Sequence, residues 1–227
     1  MSKIRNAKGR TDNNSGYNRL FGNVEFGKLF SKAQATVISN GSELEKMILE
    51  RTQIIENLDL FIDETTNGLT INGIYTSPKK ILRKSRYALK GYEPDLLIFI
   101  VESQRICKVI ELKEGDSFDT KKSSGEQEHI AEFTLKFGSK IPFVADYFVC
   151  SFNQENKDVI YNGFKKVFEK EHILTGKELC KILKIDYDEI VNLRKTDQED
   201  NLKYFVEEML NIDKIKELIK EKLKEGN

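Results

Sequence analysis

The residues whose types could carry a reaction lie in one stretch: Pro94-Asp95, fifteen intervening residues, then Glu111-Leu112-Lys113. On an extended strand, positions i and i+2 share a face, so Glu111 and Lys113 project together while Ile110 and Leu112 turn the other way. Val109 and Ile110 are apolar, so the strand reads as buried until two charges emerge at its end. Residues 95–102 (DLLIFIVE) and 105–113 (RICKVIELK) form a predicted antiparallel hairpin about Ser103-Gln104. That pairing sets Asp95 opposite 111–113, and two carboxylates and one ammonium converge at the end of a hydrophobic sheet. Hard oxygen ligands of this kind suit Mg²⁺, which binds through one or two carboxylates plus substrate phosphate. Metal-assisted phosphodiester hydrolysis is the chemistry that fits. Lys113 would orient or deprotonate the attacking water, or stabilise the developing negative charge. A bare Glu-x-Lys is short and common and reads as a surface ion pair. The Pro-Asp, the hairpin spacing and the apolar run shift the weight toward a site.

The elements that must position these residues follow from pattern. Residues 1–40 are polar and Gly/Asn-rich, with about five positive charges in excess, and suggest a mobile arm or extension, either a disordered tail or a DNA-contacting segment. A helix starts near Ser42, where Ser42-Glu43-Leu44-Glu45 supplies a cap and acids for the dipole. Short strands are expected over 58–62 and 69–75, with a turn between them. Residues 77–90 hold Lys79, Lys80, Arg83, Lys84, Arg86 and Lys90 with no acid between them, which reads as a phosphate-contacting surface. After the hairpin come a polar loop, a helix over about 124–137, and the apolar run 143–152 as a buried strand in parallel crossover. Lys121 and Lys122 in that loop are further phosphate contacts, and Gln127 reads as part of a solvated first helical turn. Beyond Asn153 the chain turns helical: 157–171, then 177–183 behind a capping box at Thr175-Gly176-Lys177-Glu178, then 185–194, 203–210 and 213–224. Residues 175–194 have the outline of a helix-turn-helix, but the acidic start of the second helix suits dipole compensation better than groove entry.

The Pro94-Asp95 and Glu111-Leu112-Lys113 pair, with helix, strands, hairpin, helix and strand around it, resembles the PD-(D/E)xK nuclease superfamily over residues 42–152. The resemblance implies an α/β fold: a restriction-endonuclease-like core of mixed central sheet flanked by helices over 41–153, with 154–227 as a helical C-terminal lobe. It implies that Asp95 and Glu111 bind divalent metal, that the Leu112 carbonyl completes the coordination, and that Lys113 assists the water. Many members add a Glu from the first core helix; Glu45 is the first choice and Glu50 the second. Among such enzymes the chain resembles a Type II restriction endonuclease cutting double-stranded DNA at a short sequence. A palindromic site would imply a homodimer, and the family reading implies a separate DNA methyltransferase protecting host sites. A junction or repair nuclease of the same superfamily, or a non-catalytic DNA-binding protein, is the alternative.

Composition narrows the rest. Within 227 residues, 37 Lys and Arg balance 37 Asp and Glu, so any basic surface is local. No apolar run suits a membrane span or a signal peptide. Cys107, Cys150 and Cys180 are dispersed and odd in number, which points to a reducing cytoplasm without a disulfide or zinc framework. With His129 and His172 alone, a His-rich metal site is excluded. No GxxxxGK[ST] loop and no Gly-rich cofactor loop occurs, so neither an ATP-driven motor nor a methyltransferase is expected on this chain.

Overall fold

The computed structural model describes residues 3–116 and 120–225, without the side chains of 120–122. Among them the chain forms two compact units, Glu45–Tyr187 and a second made of Met1–Leu44 with Asp188–Asn227.

The 45–187 unit is built on a six-stranded mixed sheet in the order β1-β2-β3-β4-β5-β6: Gln53–Ile54, Gly73–Pro78, Leu96–Val101, Arg105–Lys113, Val144–Ser151 and Ile173–Thr175. β2, β3 and β4 form an antiparallel meander, whereas β1 with β2, β4 with β5 and β5 with β6 run parallel. The central strands are apolar on both faces, and Ile98, Phe99, Cys107, Val109 and Ile110 are fully buried. One face carries Leu97, Phe99, Cys107 and Val109 against Leu58, Phe61 and Ile62 of helix α3 (Leu58–Thr66) and Ile130, Phe133 and Phe137 of helix α5 (Thr120–Gly138). Burying a large apolar side chain stabilises by about 1.5–3 kcal/mol, so this layer anchors the polar groups at the sheet end.

Several expectations change in this unit. The segment expected as a strand over 58–62 is helix α3: Asn57 caps it by accepting the Leu60 N–H, and Leu58, Phe61, Ile62 and Thr65 are buried at helical spacing. The following strand starts at Gly73 and not at 69, leaving Leu69 and Ile71 exposed. The expected helix 157–171 stops at Gly163 (α6, Lys157–Gly163), and a short strand, β6, precedes α7 (Gly176–Leu183). The capping box is present: the Thr175 hydroxyl accepts the Glu178 N–H and Glu178 accepts the Thr175 N–H.

The other unit corrects the expected arm over 1–40. Helix α1 (Gly16–Phe21) and the 26-residue helix α2 (Val24–Leu49) occupy most of it. Its first basic residues are held by the 24-residue helix α8 (Tyr187–Leu210): Lys3 lies 3.4 Å from Asp197, Arg5 pairs with Asp200, and the Ile4 N–H donates to Asn201. Phe21, Phe26, Phe30 and Phe205 form an aromatic cluster. α8 is one continuous helix where two segments were expected, and α9 (Asp213–Glu225) follows it. The two units therefore divide at 44/45 and 187/188.

Candidate active site

The site grows out of strand register. The last ladder pairs are Pro78 with Leu96 and Leu96 with Ile110. Continuing both by one residue sets Lys79, Asp95 and Glu111 side by side across β2, β3 and β4. Directly opposed residues of antiparallel strands share a face, so all three, with Lys113, emerge on the face covered by α3 and α5. There the apolar ladder ends and charge begins.

The side chains are fixed by one another. Asp95 Oδ2 accepts the Leu112 N–H at 2.9 Å, and its Oδ1 accepts from Lys79 Nζ at 3.0 Å. Lys79 also donates to Glu45 Oε1 at 3.0 Å. Glu111, 9% exposed, accepts the Tyr92 hydroxyl on Oε2 at 2.7 Å and Lys113 Nζ on Oε1 at 2.7 Å. Lys113 reaches on to Glu126 Oε1 at 3.0 Å. The buried Glu126 Oε2 has no hydrogen-bond partner among the described residues. Because Leu112 turns its N–H toward Asp95, its C=O leaves the strand on the same side.

Burial works against charge throughout. It raises the carboxyl pKa of Glu111, and the neighbouring Asp95 raises it further against the opposing effect of Lys113. Burial also raises Glu45, with Lys79 opposing. Burial opposes the charge of Lys79, but Asp95 and Glu45 outweigh it and push the ammonium up to about 12. Lys113 is likewise raised, by Glu111 and Glu126 against burial. Burial and Glu111 hold the Tyr92 phenol neutral far above its usual range.

Of the expected site residues, Asp95, Glu111, Lys113 and Glu45 come together, with Leu112 contributing its backbone. Glu50 is exposed and lies 3.6 Å from Lys46, outside the cluster. Lys79, expected on an open phosphate-contacting surface, is turned into the carboxylates. Arg83 is paired with Glu93, and Arg86 with Asp63 and Tyr87. Lys80 and Lys84 are exposed without an acidic partner among the described residues. The side chains of Lys121 and Lys122 lie outside the described residues. Gln127 bonds Tyr147 at 3.1 Å and so is part of the fold, not a solvated turn.

Tyr92 and Glu126 were missed. Glu126 was legible: with Ile130, Phe133 and Phe137 it continues the buried stripe of α5 by one turn. Tyr92 sits in an aperiodic loop, where spacing gives no signal. Its ring also lines a groove of about 390 Å³ with Lys90, His129, Phe133 and Lys136.

The donor set suits a hard divalent cation. Glu45, Asp95, Glu111 and Glu126 bring four carboxylates against the two ammoniums of Lys79 and Lys113, and every donor is oxygen. Among the described residues no three acidic, imidazole or thiol groups converge on a metal position as they stand; the ammoniums fill the gaps between the acids.

No protein-family model matches the chain, and no solved structure matches it. It is 58% identical over 224 residues to the Type II restriction enzyme HhaII of Haemophilus parahaemolyticus, covering 97% of this chain and 99% of that one. With so much identity over nearly the whole of both chains, this protein belongs to the Type II restriction enzymes, endonucleases that cut DNA at specific sequences.

Proposed function

We propose that cleavage takes place at a PD-(D/E)xK centre of a restriction-endonuclease-like core, formed by Asp95, Glu111 and Lys113 and loaded with Mg²⁺. The observation that carries this reading is the register that sets Asp95 beside Glu111 at the sheet end, with Lys113 on the same face. Asp95, Glu111 and the Leu112 carbonyl would hold the ion. When bound, it supplies Lewis acidity toward the scissile phosphate and acidifies the attacking water.

The chain's own groups do the rest. Tyr92 and Lys113 fix the two oxygens of Glu111, and the Leu112 N–H fixes Asp95, so the ligands are set before substrate arrives. Lys113, anchored from behind by Glu126, presents its ammonium where negative charge grows on the phosphoryl oxygens as water attacks phosphorus and the P–O bond breaks. The exposed Lys80 and Lys84, with Lys121 and Lys122, contact phosphates along the duplex. A two-fold homodimer places one such centre on each strand of a palindromic site. A separate methyltransferase protects the host's own copies. Three free, buried thiols fit a reducing cytoplasm, and among the described residues no helix is long and apolar enough to cross a membrane.

The test is incubation with long unmethylated linear DNA in Mg²⁺ and in EDTA, beside Lys113→Ala. Discrete bands that need Mg²⁺ and vanish in the variant are expected. Bands that persist in EDTA, or in a folded Lys113→Ala protein, would remove the reaction from this centre.

A further inference from the structure

Lys79 is the member of the row that the reading above leaves without a role. It opens helix α4 (Lys79–Leu82) directly after Pro78, the last paired residue of β2. Its Cα therefore cannot move far without breaking the β2–β3 ladder. From there its ammonium lies 3.0 Å from Asp95 Oδ1 and 3.0 Å from Glu45 Oε1. Both acids are mostly withdrawn from water, with side chains 16% and 19% exposed. Asp95 thus divides its two oxygens: Oδ2 faces Leu112 and the Glu111 side, and Oδ1 faces Lys79.

Two-metal phosphodiester centres hold their ions about 3.5–4 Å apart and share a carboxylate between them. Here the shared carboxylate would be Asp95, and the far side of it, toward Glu45, already contains a cation. An ammonium satisfies two carboxylates at about 2.8–3.0 Å, whereas Mg²⁺ demands about 2.0–2.1 Å and gives up its waters reluctantly. A second metal would have to expel Lys79 and draw Glu45 and Asp95 inward by roughly an ångström each.

We propose that Lys79 is a built-in cation of the active site, standing between Glu45 and Asp95 where a second divalent ion would otherwise bind, so that each centre works with one metal ion. This rests on the metal reading of Asp95 and Glu111. Glu45 then serves as the counter-charge that positions Lys79 and not as a metal ligand. Lys79 in turn supplies fixed positive charge beside the scissile phosphate, where it needs no loading from solution.

The experiment counts Mn²⁺ ions bound per chain of the full-length protein, by isothermal titration and by the loss of free-ion signal in electron paramagnetic resonance. Wild type should bind one ion. Lys79→Met should bind two, Lys79→Arg one, and Lys79→Met with Glu45→Gln one again. Two ions in wild type, or one in a folded Lys79→Met protein, would overturn the proposal and leave the metal centre standing. No ion in wild type, or one that survives Asp95→Asn with Glu111→Gln, would overturn the metal reading and this proposal with it.

Discussion

Tyr92→Phe isolates one hydrogen bond at the centre. The ring stays packed, its centroid 5.9 Å from His129 and 6.0 Å from Phe133, so the substitution removes an oxygen and leaves no cavity of consequence. What is lost is the 2.7 Å bond to Glu111 Oε2. A hydrogen bond to a buried charged group contributes about 1.5–3 kcal/mol net. Lys113 still holds Oε1, which places the expected loss of stability toward the lower end of that span. The larger effect falls on the metal. Removing a group that orients a ligand typically costs about 10–100-fold in metal affinity, so the Mg²⁺ concentration for half-maximal single-turnover cleavage should rise by that factor. The rate at saturating Mg²⁺ should change far less. Urea unfolding and a Mg²⁺ titration of cleavage read the two quantities separately. An unchanged Mg²⁺ dependence in a destabilised protein would show that Tyr92 serves the fold alone, and the argument for a pre-set Glu111 would fail.

Replacing Lys80 and Lys84 together by Ala should reduce the slope of log affinity for DNA against log salt by about 2, since each phosphate contact contributes about 0.9; an unchanged slope would take both off the DNA path. Burial raises the thiol pKa of Cys107, Cys150 and Cys180, the last to about 12. Because the thiolate is the reactive form, the folded protein at pH 8 should resist Ellman's reagent until denaturant exposes all three, and rapid reaction of the native state would contradict the packing. Gly176→Ala puts a Cβ 2.3 Å from the Phe152 carbonyl oxygen and 2.7 Å from the Tyr187 ring, which should cost about 1–3 kcal/mol or more in urea unfolding; a neutral result would mean that α7 can shift freely.

The pair Asp95 and Glu111 was legible because a hairpin obeys a simple register, and the strands 96–101 and 105–113 needed only their turn to be placed. Glu45 could be named but not separated from Glu50, since that choice depends on which face of α2 meets the sheet end. Lys79 was read with the basic run around it. Its place was concealed by the reading of β2 as 69–75; a strand continued to Pro78 puts Lys79 directly after it, level with Asp95 and Glu111. Helix α2 was expected only from about Ser42; its residues 24–41 escaped because the pattern there is inverted, with Ser31 and Thr36 buried while Val37 and Ile38 are exposed. β6 is three residues long, too short for any period to declare itself.

The central claim is that DNA is cut where Lys79, Asp95 and Glu111 meet at the end of β2, β3 and β4. Anomalous diffraction from crystals soaked in saturating Mn²⁺, which locates the ion directly, tests it most directly. A peak against the carboxylates of Asp95 and Glu111, absent from Asp95→Asn crystals, is the predicted result. A peak elsewhere on the chain, or none in crystals of a protein that cleaves DNA with Mn²⁺, would contradict it.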